Sequence, residues 1–132
     1  MKTFISMFKT ILIIGSGGFI GSVARYFVSK LNLFSVDFLS IPIGTLLVNV
    51  LGCFVIGFLS GIADKSAILT FEWRMFLMVG ICGGFTTFSS FANENLMLLH
   101  NGQLLSILLY TAFSIFLGFL AVYLGYTSSN LL

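Results

Sequence analysis

The chain has 132 residues, of which 58% are hydrophobic and only 8% charged, with a mean hydropathy of +1.13. Soluble domains carry roughly 25% charged residues, so this composition cannot build a water-facing surface and predicts an integral membrane protein. A net charge of +2 without a basic cluster also argues against nucleic acid as a partner.

The first apolar run extends from about Ile11 to Leu33, after Lys2 and Lys9. It is too long for a signal peptide and further spans follow, so it is expected to be a membrane helix. Within it, Thr10–Ser22 reads TILIIGSGGFIGS, like the Gly-rich turn of a dinucleotide site, and Asp37 follows at the expected distance. The glycines at 15, 17, 18 and 21 nevertheless miss the strict spacing, because position 20 is Ile, and no βαβ unit follows. The better reading is a small-residue face, in which Gly17 and Gly21, or Gly18 and Ser22, let another helix approach closely. Arg25 either snorkels to the interface, near Lys30 and Asn32, or lends charge to an anion-attracting vestibule.

The second run, Ile43 to about Ile62, opens just after Pro42, which suits a first helical turn. Gly57 and Gly61 repeat the small-residue spacing. An amide within a membrane must find partners, so Asn49 is either interhelical hydrogen-bond glue or a donor to a passing anion. Thr45 lies one turn away on the same face.

The third run, about Met75 to Leu99, is interrupted by Gly83-Gly84-Phe85-Thr86-Thr87-Phe88-Ser89-Ser90-Phe91. Glycine carries the largest backbone entropy cost in a helix, and Ser and Thr hydroxyls compete for backbone groups. The helix is therefore expected to break near Gly83–Thr87, with a second half from Phe88. Free backbone polar groups in lipid are tolerated only when buried in protein or lining a cavity, so a mid-membrane break points to a site. Phe88 and Phe91 are spaced to bring their rings together beside a strip of hydroxyls, and ring edges are electropositive enough to face a small anion. Glu94 is a possible proton or cation site, although Asn95 and His100 suggest a solvated interface. The fourth run, about Leu104 to Tyr126, carries Tyr110 and Ser114 on one face and ends in a polar Thr-Ser-Ser-Asn tail. Ser114 either lines a pore or bonds back to its own helix.

Each run is close to the ~20 residues that cross a ~30 Å hydrocarbon core. The expected architecture is one all-α membrane domain of four helices, 11–33, 43–62, 75–99 and 104–126, with both termini on one side. The connections are too short for a further domain, and Asp64, Lys65, Glu72, Trp73 and Arg74 suit an interfacial belt. Lys2, Lys9, Lys65 and Arg74 fall on one side, Arg25 and Lys30 on the other. That bias barely orients the chain, so insertion both ways and an antiparallel dimer are permitted. Cys53 and Cys82 lie in apolar runs and read as packing residues rather than a disulfide. His100 is the sole histidine, there is no metal-ligand cluster, and no nucleophile–base pair suggests an enzyme.

The Arg-Tyr after a Gly-rich stretch, then GTLLVN, then GGFTTFSSF, together resemble the Fluc/CrcB fluoride channels over essentially the whole chain. The resemblance implies an antiparallel, dual-topology homodimer in the bacterial plasma (inner) membrane, with two fluoride pathways and a central structural sodium ion. Such a channel would export fluoride passively and protect the cytoplasm. It implies that Phe88 and Phe91 are the pore-facing aromatic pair, Asn49 the pore-lining amide and Thr45 its neighbouring hydroxyl. Thr87 and Ser89 would be hydroxyls of the break, Tyr110 and Ser114 polar contributors from the last helix, and Arg25 the vestibule arginine. The backbone carbonyls of Gly83 and Thr86 would hold sodium. Phe85, where another apolar residue is expected, and Ser90, where Thr is common, are mild departures. The alternative is a small four-helix proton-coupled multidrug exporter, for which Glu94 is the only candidate carboxylate within the runs.

Overall fold

The computed structural model describes residues 2–30, 40–65 and 69–131. Positions 31–33 of the expected first span, Asp37 and most of the first connection lie outside them. The regular elements among the described residues are all helical: α1 (Lys2–Lys30), α2 (Ile43–Lys65), α3 (Phe71–Arg74), a π-helical stretch (Met75–Cys82), α4 (Gly83–Phe85), α5 (Phe88–His100), α6 (Leu104–Ser128) and a closing 3₁₀ turn (Ser129–Leu131). Among the described residues, four helical stretches are long and apolar enough to cross a membrane: Phe4–Lys30, Ile43–Lys65, Phe71–His100 and Leu104–Leu131. This is a multi-pass membrane protein.

Helix α1 begins well before Ile11, because Phe4, Ile5, Met7 and Phe8 continue the apolar run between the two lysines. Lys9 Nζ also meets Glu72 Oε1 at 3.1 Å, across an exposed ion pair. At the other end of the chain, α6 runs past Tyr126. Its tail hydroxyls bond back to its own carbonyls: Thr127 to Tyr123, Ser128 to Leu124 and Ser129 to Tyr126. Helix α5 stops where Gly102 takes φ +70°. Gln103 N–H then donates to Leu98 O and Gly102 N–H to Leu99 O, a Schellman motif that answers the last carbonyls.

Two close pairs make the bundle: α2 against α6, and α1 against the π-helical stretch and α4. Small residues set both seams, since helices in lipid associate largely through close packing. A side chain at Gly21 would meet the Ile81 carbonyl and lie 2.8 Å from the Phe85 nitrogen; one at Gly57 would run into the Val122 backbone. The Gly-rich stretch of α1 is thus a packing face. Gly21→Val is expected to lower the thermal midpoint in detergent by an overpacking cost of ~1–3 kcal/mol. Gly15→Ala, with nothing within 4 Å of the added carbon, should leave it unchanged or slightly raised.

Large apolar side chains point outward, including Phe19 at 72% and Phe119 at 76% exposure. The small interior is built around Val48 and Tyr110, both 0% exposed.

A candidate anion site at the helix interruption

Cys82, Gly83, Gly84 and Phe85 keep helical geometry, and the backbone leaves it only at Thr86 (φ −77°, ψ 156°) and Thr87 (φ −150°, ψ 114°). The interruption is thus narrower than Gly83–Thr87. Gly84 is needed instead for close approach, since a side chain there would strike the Gly18 carbonyl. The threonines carry the change of direction, and both are held by side-chain bonds. Thr86 Oγ1 donates to Cys82 O at 2.9 Å, doubling the bond from Thr86 N–H. Thr87 Oγ1 accepts from Ser90 N–H at 3.2 Å, a side-chain cap on the N-terminus of α5.

Asn49, from α2, lies against the interruption. Its Oδ1 accepts from Thr87 N–H at 2.8 Å, while its Nδ2 donates to Thr87 O at 3.1 Å. An extended residue points its N–H and C=O the same way, so a carboxamide can serve both, as a peptide would in a sheet. The glue reading of Asn49 therefore holds, and one N–H of its NH₂ group remains for another acceptor.

A cavity of about 430 Å³ opens beside these groups. Asn49, Gly83, Thr86, Thr87, Phe88, Phe91 and Ser114 line it, together with the thiols of Cys53 and Cys82. The Phe88 and Phe91 rings lie 5.8 Å apart at 40°; Phe88 is 79% exposed. Ser114 Oγ is buried with no partner among the described residues, so it does not bond back to its helix. No charged side chain lines this cavity among the described residues. Its lining offers hydroxyl and amide donors and ring edges.

A second cavity, of about 410 Å³, is lined by Ser22, Arg25, Tyr26, Thr45, Thr87 and Ser90, among others. Arg25 has no hydrogen-bond or ion-pair partner among the described residues and faces this polar space. Thr87 borders both cavities. Ser89 is exposed and lines neither, its hydroxyl lying 3.3 Å from that of Thr87; Ser90 takes the inward place.

The residue that sequence reasoning misplaced is Glu94. It is half-buried rather than at a solvated interface: Thr45 Oγ1 donates to its Oε1 at 2.6 Å and Tyr110 OH to its Oε2 at 2.7 Å. The Phe91 ring packs on Tyr110 at 5.0 Å. Thr45 and Tyr110 thus act together through Glu94. The available signal was its position three residues after Phe91, on the same face of α5.

Three relatives, each named "Fluoride-specific ion channel FluC", align over most of this chain. That of Chlorobium phaeobacteroides is 47% identical over 86% of this chain and 87% of its own length. That of Chlorobium luteolum is 47% identical over 88% of each. That of Chlorobium chlorochromatii is 46% identical over 91% of this chain and 92% of its own. The family described as "CrcB-like protein, Camphor Resistance (CrcB)" matches residues 12–126, and the chain belongs to it.

Proposed function

We infer that this protein is a fluoride channel that lets the anion leave the cell passively across the plasma membrane. The observation that carries the reading is the cavity shared by Phe88, Phe91 and the unpartnered Ser114 hydroxyl. The names of the relatives agree with it. Fluoride is small and strongly hydrated, so a path through hydrocarbon must replace its water. Hydroxyls, an amide N–H and ring edges do so without a fixed cation that would hold the ion, as conduction requires both entry and release. Arg25, in the neighbouring cavity, would raise the local anion concentration.

Two copies in antiparallel orientation would complete the pathways and bring their interruptions together. The residues suit a central sodium ion. In an unbroken helix Thr87 N–H would donate to Gly83 O and Ser90 N–H to Thr86 O, but both are engaged elsewhere. These two carbonyls lie at the negative end of a helical segment, which suits a cation. Bound between two copies, sodium would neutralise carbonyls from both and hold them together.

Liposomes holding only the purified protein and loaded with fluoride are expected to lose it rapidly, with little chloride loss, when followed by electrodes. A folded protein that passes no fluoride would overturn this reading. Proton-coupled movement of an organic cation, lost in Glu94→Gln and retained in Phe88→Ile, would replace it with the exporter.

A further inference from the structure

Gly83 O and Thr86 O each forgo the N–H that a continuous helix would give them, through two specific substitutions of partner. The Asn49 amide oxygen takes the N–H that a continuous helix would deliver to Gly83 O, and the Thr87 hydroxyl takes the one due to Thr86 O. Each interceptor is itself anchored. The Asn49 Nδ2 bond to Thr87 O fixes the amide plane, and Thr87 is only 7% exposed with its hydroxyl donating to Ser90 Oγ at 3.0 Å. Without them, both N–H groups would seek the nearest carbonyls, those of their own helix, because an unpaired backbone donor in a low-dielectric interior is costly.

We propose that the side chains of Asn49 and Thr87 are positioning residues for the cation site: by capturing these two N–H groups they keep the Gly83 and Thr86 carbonyls available to sodium. The proposal rests on the sodium reading above and adds to it a cause. It also links the two ions, since the Asn49 that borders the fluoride cavity is the group that holds the cation carbonyl open. Disturbing Asn49 therefore has two separable effects, one on the anion path and one on the cation.

The test follows the thermal unfolding of the purified protein in detergent as sodium replaces N-methylglucamine at constant ionic strength. Thr87→Val keeps the shape but removes the accepting oxygen. It is expected to raise the sodium concentration for half-maximal stabilisation about tenfold, the scale of one lost cap, whereas Thr87→Ser restores the original value. Asn49→Leu is expected to behave like Thr87→Val. Asn49→Asp keeps an oxygen for Thr87 N–H and should retain the sodium response even where its charge slows fluoride efflux, a split that a merely structural role would not produce. Should Asn49→Leu not assemble, the Thr87→Val and Thr87→Ser pair decides. Unchanged sodium midpoints in folded Thr87→Val and Asn49→Leu would overturn the proposal and leave the sodium reading standing. A wild-type protein indifferent to sodium would overturn both.

Discussion

Phe91→Ile is expected to lower fluoride efflux from liposomes by about a hundredfold, and Phe88→Ile by about tenfold, each ~1.4 kcal/mol at the barrier being a factor of ten. Isoleucine remains apolar and fills similar space, so folding and assembly should survive in both. What it lacks is an electropositive ring edge, the part of the side chain that can replace water around a small anion. Phe91 has a second role that Phe88 does not share. Its ring packs on Tyr110 at 5.0 Å, so its loss also loosens the hydroxyl that faces Glu94. Phe88, 79% exposed, loses its edge and its contact with the Phe91 ring but does not touch the hydrogen bonds to Glu94. Normal efflux in both variants would sink the proposal that ring edges carry the ion.

The second large effect concerns Glu94. Thr45 and Tyr110 hold its two oxygens at 2.6 and 2.7 Å, short bonds of the kind a carboxylate accepts. Tyr110→Phe removes one donor and leaves part of a half-buried carboxylate unanswered, free to turn towards the cavities. Its negative charge would then oppose a passing anion. Efflux in Tyr110→Phe is expected to fall about tenfold, corresponding to ~1.4 kcal/mol. The double variant Tyr110→Phe/Glu94→Gln should recover much of it, because the amide carries no charge to repel fluoride. The two changes would then be coupled rather than additive, as expected for groups in contact. A double variant no faster than Tyr110→Phe alone would show that the tyrosine acts by some route other than restraining Glu94.

The membrane helices are legible in the sequence because hydrophobic length is a property of consecutive residues. The seams are nearly so: Gly17 with Gly21, and Gly57 with Gly61, recur at the spacing of one helical turn and sit where backbones approach. The π-helical turns of Met75–Cys82 have no such signal, since all the residues in that stretch except Gly80 are apolar and fit either pitch. The interruption is narrower than composition suggests, because Gly83 and Gly84 tolerate helical geometry, and at Gly84 the approach of the Gly18 backbone requires a small residue. Glu94 illustrates the limit best. Its partners come from α2 and α6, 49 and 16 residues away in sequence. Local polarity placed it near His100, and only packing draws it inward.

The pairing of Asn49 with Thr87 also bears on how the chain is made. Synthesis runs from the N-terminus, so the template on α2 exists before the stretch that needs it emerges from the ribosome. The extended Thr87 can enter the bilayer with a peptide-like partner already waiting in the preceding span. Were the order of these segments reversed, the open backbone would have to cross an apolar solvent with nothing to answer its N–H and C=O. The order of segments along the chain thus serves assembly.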